Sequence, residues 1–278
     1  MQQFPEATGA GAAPHELELL AIAQRAALAA ADELMARFGR EAAGVRWKSS
    51  PTDLVSAADL AAEEAIRRVL ARDRPGDAIL GEGGGASDGA DGGEALRWIV
   101  DPLDGTVNYL YGIPQFAVSV ACEDPAGALA GVVLNPVTGE TFAATRSGEA
   151  TLNGSPIAGS GCDELSRALV ATGFGYDADV RAAQARVLTR LLPRVGNVRR
   201  MGAAALDMCD CARGRFDAYF ERGVKAWDIA SGSLICTRAG LEVRTLDPVG
   251  ILPQGILIAP SSLLEDLLEL VDGPPPEA

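Results

Sequence analysis

Asp101 and Asp104 bracket Pro102-Leu103 at the end of the apolar run Trp98-Ile99-Val100, and Gly105 and Thr106 follow directly. A short apolar run broken by Pro and Gly reads as a buried strand entering a tight turn. That turn sets two carboxylates at the carboxyl end of the strand. Residues 105–110 read as a short helical segment whose first N–H groups are free to face an anion. Neighbouring carboxylates repel unless a proton or a cation neutralises them. Hard divalent cations take oxygen ligands, and Mg²⁺ commonly shares a few carboxylates with a substrate phosphate. Asp, Pro and Gly are equally at home in a plain turn, so this stretch alone leaves both readings open.

Other acidic residues sit in comparable places. Glu82 follows the short strand Ala78-Ile79-Leu80, Asp228 opens a helix within WDIASGS, Asp59 lies in a first helical turn, and Glu221 ends an extended run. Singly, each has an ordinary role: a helix-dipole partner for Asp59 and Asp228, a loop or strand-end charge for the others. The only histidine is His15, at the entry to a helix, which excludes a histidine-dependent triad or a histidine-based zinc site. The five cysteines, Cys122, Cys162, Cys209, Cys211 and Cys236, match no zinc or redox spacing and read as core filler in a reducing compartment. Acid–base chemistry must therefore come from carboxylates, hydroxyls or a cation's water.

The chain has 278 residues, is 48% hydrophobic and carries a formal charge of −14. A substantial core is expected, and a broad nucleic-acid surface, which needs clustered Lys and Arg, is not. A small phosphate is still compatible with an acidic chain if cations invert the local sign. No apolar run is long enough to span a bilayer, and the N-terminus lacks a signal-peptide layout, so a cytoplasmic protein is expected.

Around the acidic residues the pattern predicts helices at 14–38, from Ser56 (an N-cap) to about 71, at 178–192, 203–213, 226–239 and 261–271. Strands are expected at 78–80, 98–100, 115–122, 128–134, 140–145, 169–172, 215–220, 241–245 and 254–259, with a short extended piece beginning at Val198. Asn153-Gly154 marks a hairpin tip. Residues 1–13, the glycine-rich 83–93 and the tail 272–278 read as flexible. Helices and strands that mix without strict alternation indicate a layered α/β or α+β architecture.

Gly81-Glu82, DPLDGTVN at 101–108 and WDIASG at 227–232 together resemble the three signatures of the inositol monophosphatase family, with supporting matches in WKSSPTDLVSAAD at 47–59 and GAAALDMC at 202–209. The resemblance covers roughly residues 15–270 and is strongest to bacterial members of the SuhB type. It implies an αβαβα sandwich forming one domain over 14–271, with an α+β part to about 150 and an α/β part from about 151. It implies a homodimer, lithium sensitivity, and Mg²⁺-dependent hydrolysis of myo-inositol 1-phosphate or a related polyol phosphate, without a covalent intermediate. By the same resemblance, Glu82, Asp101 and the carbonyl of Leu103 hold a first ion, and Asp101, Asp104 and Asp228 hold a second. Thr106 and Asp59 orient the attacking water, while Gly105 and Thr106 offer N–H groups to phosphate. Gly202, Ala203 and Ala204 line the alcohol side, Glu221 accepts substrate hydroxyls, and Lys48 lies on a mobile loop. Rivals within the superfamily are histidinol-phosphate, 3′-phosphoadenosine-5′-phosphate and fructose-1,6-bisphosphate phosphatases. A rival of another class is a regulatory partner of the transcription machinery.

One departure from the family pattern carries a consequence. The family has two glutamates after the glycine, whereas here Gly81-Glu82 is followed by Gly83, removing a carboxylate from the region of a third, weaker ion near Glu82. Gly83→Glu is expected to strengthen activation by Mg²⁺, seen as a lower half-saturating Mg²⁺ concentration in a phosphate-release assay. Equal Mg²⁺ dependence in the two proteins would refute the assignment.

Overall fold

The computed structural model describes residues 11–39, 57–82 and 96–272. Lys48, the N-cap expected at Ser56, Gly83 and the glycine-rich run lie outside them. Helices α1 (Pro14–Arg37) and α2 (Ala57–Asp73) form the first layer. Pro14 at the first turn of α1 presents the φ a helix needs, and Ala23, Ala26, Ala27, Ala30 and Leu34 repeat at three and four residues to bury one face.

That face covers a seven-stranded sheet whose strands run in chain order: β1 (Ala78–Gly81), β2 (Arg97–Asp104), β3 (Ala117–Asp124), β4 (Gly127–Leu134), β5 (Thr141–Thr145), β6 (Thr151–Leu152) and β7 (Ser155–Pro156). β1 is parallel to β2, and every later neighbour is antiparallel. The expected meander is present. Asn153 and Gly154 turn β6 into β7 with φ of 51° and 79°, the left-handed pair that a two-residue hairpin demands. Because this hairpin pairs with β5, the first sheet continues to Pro156, past the boundary expected near residue 150.

The short helix α3 (Thr106–Leu110) leaves β2 at the sheet's end. The second sheet contains β8 (Leu169–Thr172), β9 (Asn197–Arg199), β10 (Ala218–Arg222), β11 (Glu242–Leu246) and β12 (Gly255–Ala259), ordered β11-β12-β10-β8-β9. α4 (Ala178–Leu191) and α7 (Ser261–Val271) cover its outer face, while α5 (Ala204–Ala212) and α6 (Ala226–Arg238) lie between the two sheets. The result is the expected αβαβα sandwich.

Three apolar cores fill the four interfaces between helices and sheets, the middle one spanning both sides of α5 and α6. Val118, Val120 and Val132 face α1 and α2, whereas Ala117, Val133, Phe142 and Ala144 face α5 and α6. The period of two that sends alternate side chains to opposite faces makes both faces of β3, β4 and β5 apolar, as a sheet covered on both sides requires. Among the strand boundaries that differ from expectation, two have a local cause. β2 continues to Asp104, with an irregularity between Asp101 and Asp104 in its pairing to β3. β10 begins at Ala218 rather than at Arg215, because the amides of Arg215 and Phe216 still close the end of α5 by donating to Asp210 O.

α6 sits unusually close to the first sheet. A Cβ added at Gly131 would lie 3.0 Å from Ser231 Cα, and the buried hydroxyls of Ser119 and Ser231 are 3.0 Å apart. This contact brings the start of α6 over the carboxyl end of β2. Gly131→Ala should force the helix outward and destabilise the fold by about 1–3 kcal/mol, the usual cost of overpacking. Urea denaturation followed by far-UV circular dichroism measures it, and an unchanged midpoint would contradict the close-approach argument.

Candidate active site

The register that ends β2 also builds the site. Pairing with β3 is regular through Asp101↔Ser119 and resumes at Asp104↔Ala117, so Pro102 and Leu103 bow out of the ladder. The amide of Leu103 donates to Asp101 Oδ1 at 3.0 Å, an Asx-type turn that fixes the first carboxylate. Gly105 then takes φ 86°, a left-handed conformation natural to glycine, and a Cβ there would press on Ala203 and on the carbonyls of Gln115 and Gly202. The Thr106 hydroxyl donates to Leu103 O at 3.0 Å.

The turn is tied to its surroundings on both sides. Asn108 donates from its side-chain amide to Gln115 O at 2.8 Å and to Met201 O at 2.9 Å, locking α3 to the segment before α5. Tyr109 donates to Leu34 O at 2.9 Å and stacks among Phe38 and Phe116, locking α3 to α1.

Asp104 makes the link between layers. Its Oδ1 accepts from Ala204 N at 3.1 Å and its Oδ2 from Ala205 N at 2.8 Å, so a carboxylate from the first sheet caps the N-terminus of α5. Asp228 enters from the first turn of α6, with Oδ2 accepting from Lys225 N at 2.6 Å, and its carboxyl group shares a hydrogen bond with Asp101. Acidic side chains separated by more than a hundred residues thus meet.

Their electrostatics are those of crowded anions. Burial, then the charges of Asp104, Asp228 and Glu82, push the Asp101 carboxyl well above the usual range. Burial and Asp228 push Asp104 up likewise, against the pull of the Ala205 amide. Burial raises Asp228 to about 6, and burial with the charges of Glu82 and Glu63 raises Asp59 to about 7. Glu82 is more open to solvent, yet partial burial followed by Asp228 and Glu63 raises it too.

These residues border a cavity of about 450 Å³. Glu82, Asp101, Leu103, Asp104 and Asp228 line it, as do Gly105, Thr106, Gly202, Ala204 and Glu221. Ala203 is not on the wall: it is 1% exposed, at the entry to α5, packed behind Gly105. Asp59 is buried next to Glu82 and is not among the lining residues either. Lys48 lies outside the described residues.

The donor set is entirely oxygen: four carboxylates and the Leu103 carbonyl. That is the preference of a hard divalent cation, and a carboxylate that accepts one or two N–H bonds retains lone pairs for an ion. Among the described residues, no three acidic, Cys or His side chains converge tightly enough to hold an ion as they stand. The Asp104 and Asp228 carboxylates are turned onto helix-end amides instead.

Sequence reasoning missed several residues of the cavity. Arg200, Tyr176 and Trp227 border it, and Tyr219 Oη donates to Glu221 Oε2 at 2.7 Å. Tyr219 left a signal: two residues before Glu221 in a strand, it must share that residue's face. Arg200 and Tyr176 left none, since they reach the site from loops.

The chain is similar to known proteins over most of its length. The family model described as the inositol monophosphatase family matches residues 15–272. The inositol-1-monophosphatase SuhB of Mycobacterium tuberculosis is 44% identical over 220 residues, 77% of this chain and 76% of that protein. A Pseudomonas aeruginosa protein named Nus factor SuhB is 38% identical over 226 residues, covering 80% of this chain and 83% of the relative. The crystal structure of the extragenic suppressor protein SuhB from Bartonella henselae superposes with a TM-score of 0.83 at 32% identity, over 91% of this chain and 98% of that one. With the family model matched across nearly its whole length and its signature carboxylates gathered in one cavity, the chain belongs to the inositol monophosphatase family, a family of phosphatases.

Proposed function

We propose that this phosphatase hydrolyses a polyol phosphate monoester, with myo-inositol 1-phosphate as the first choice, in a reaction dependent on Mg²⁺. The observation that carries the reading is the meeting of Asp101, Asp104 and Asp228 in one cavity that Glu221 also lines. Glu82, Asp101, Asp104, Asp228 and the Leu103 carbonyl would hold the cation. When bound, the ion supplies positive charge to the phosphoryl oxygens and acidifies the attacking water.

The chain's own residues supply the remainder. Asp104 and Asp228, anchored by backbone amides, keep their positions while the charge around them changes, so little reorganisation accompanies the reaction. Gly105 and Thr106, at the start of α3, would offer their N–H groups to the phosphate. Thr106 and Asp59 would orient the water, a gain of position rather than of acidity. Gly202 and Ala204 leave room for the alcohol half, and Glu221 accepts from its hydroxyls. Phosphate release should be measured from inositol 1-phosphate, histidinol phosphate, 3′-phosphoadenosine 5′-phosphate and fructose 1,6-bisphosphate, with and without Mg²⁺. Inositol 1-phosphate is expected to lead, and a clear preference for another ester would replace the substrate named here.

A second reading is favoured by the Pseudomonas relative's name, Nus factor: a role in transcription separate from catalysis. Asp101→Asn distinguishes the two. It should lower kcat/KM by roughly a hundredfold to a thousandfold, the scale of losing a principal electrostatic element. A growth phenotype of the gene deletion that this variant still rescues would assign the cellular role to the second reading.

The raised carboxyl groups make metal binding and stability depend on pH together. A group whose folded pKa is raised stabilises the fold below its unfolded value, here about 4, and loses that contribution as pH climbs through the folded value. For Asp228 and Asp59 the loss falls between about pH 4 and the values near 6 and 7. A divalent cation binds the deprotonated groups, so its stabilising effect must grow over the same window. At saturating Mg²⁺ the melting temperature should rise by about 5 °C at pH 8 and by much less at pH 5. Scanning calorimetry at both pH values measures this, and equal shifts would count against a carboxylate cation site.

A further inference from the structure

We propose that Tyr219, with Gly173 as its counterpart, is a positioning residue that fixes the Glu221 carboxylate as an acceptor for a substrate hydroxyl, and thereby sets selectivity for hydroxyl-rich phosphate esters. The proposal rests on the reading of the site as a phosphomonoesterase centre and specifies its alcohol side.

Two independent contacts hold Glu221. Tyr219 is wholly buried among α5 and α6 residues, and its hydroxyl donates to Glu221 Oε2 at 2.7 Å. Both side chains project from the same face of β10, two residues apart, which is why so short a bond forms within one strand. The second contact comes from β8. The parallel register pairs Phe220 with Thr172, so the next step sets Gly173 beside Glu221. A Cβ at Gly173 would lie 1.9 Å from Glu221 Oε2, 2.1 Å from Cδ and 2.2 Å from Oε1, so the carboxylate occupies its place only because residue 173 carries no side chain.

With Oε2 held by Tyr219 and the group backed by Gly173, Oε1 is the oxygen left to accept from a ligand. The Tyr219 phenol is pushed well above its ordinary value by burial and by the charges of Glu221 and Asp207, so it remains a donor at every working pH. Glu221 itself is raised by burial, against the opposing pull of its bond to Tyr219 and of the Arg200 charge. A fixed charged acceptor discriminates by what is lost without it: a ligand lacking the matching hydroxyl leaves a desolvated carboxylate unpaired.

The test compares kcat/KM for inositol 1-phosphate with that for p-nitrophenyl phosphate, which has no alcoholic hydroxyl, using the Mg²⁺-loaded protein. Tyr219→Phe removes a single oxygen. It should lower the ratio of the two kcat/KM values by about tenfold, chiefly through KM for the inositol ester. Gly173→Ala should lower the same ratio by displacing the carboxylate. In a Glu221→Ala background, adding Tyr219→Phe should leave the ratio where the first change set it, because Tyr219 acts only through Glu221. A ratio unchanged by Tyr219→Phe or by Gly173→Ala, or a further fall in the Glu221→Ala background, would overturn the proposal while leaving the phosphatase reading intact. A wild-type protein inactive on both esters would sink that reading and this proposal with it.

Discussion

The whole arrangement depends on keeping like charges close together where water is scarce. Asp101 and Asp104 are 2% and 8% exposed, and Asp228 meets Asp101 within hydrogen-bonding reach. Two anions at such range repel by several kcal/mol at the effective dielectric of a protein surface, and more when buried. The fold answers chiefly with backbone dipoles, and the Lys225 charge beside Asp228 adds a smaller pull. Ala204 and Ala205 amides at the head of α5 hold Asp104, Lys225 N at the head of α6 holds Asp228, and Leu103 N holds Asp101. A lysine or arginine paired to every carboxylate would neutralise the cleft permanently. Amides fix the carboxylates and leave them charge to offer a cation.

That choice explains the close packing behind the site. A helix end can hold a carboxylate only if the helix is itself rigidly placed. α6 is pressed onto β4 at Gly131, joined to β3 through Ser119 and Ser231, and fitted against Met208 of α5 at Gly232. Small residues in WDIASG thus serve close approach, and they set the Asp beside them at the cavity. Apolar layers on both sides of the two sheets supply the stability that the crowded anions withdraw, an exchange common to functional sites.

The alcohol side follows a different principle. There the acceptor Glu221 is held by a neutral donor, Tyr219, and by absence of bulk at Gly173. A cation held by the carboxylates, as proposed, would act on any phosphate ester, because it would address the group that all of them share. Selectivity would arise where the esters differ, and Glu221 lines the cavity together with Arg200 and Tyr176. Other buried charge serves architecture. Arg222, 3% exposed, donates to Asp247 O, Pro253 O, Val271 O and Asp272 Oδ1, clasping the end of α7 to the loop before β12.

Much of this was legible in the chain. Hydrophobic period placed α1, α6 and α7, the Asn153-Gly154 pair marked its hairpin, and the strands of the meander were separated by their Pro and Gly residues, because each of these signals is local. The acidic set could also be read, since Glu82, Asp101, Asp104 and Asp228 each stand at a strand or helix end, and the spacing of their motifs matches a known pattern. What no local signal contains is which amides receive Asp104, that the Thr106 hydroxyl turns to Leu103 O, that Ala203 lies behind the cavity wall, or that Gly173 must be bare for Glu221 to lie against it. Strand register and helix docking decide those matters. Both are set by burying apolar faces contributed by residues far apart in the chain, so partners a hundred positions away meet only once the two sheets have closed on α5 and α6.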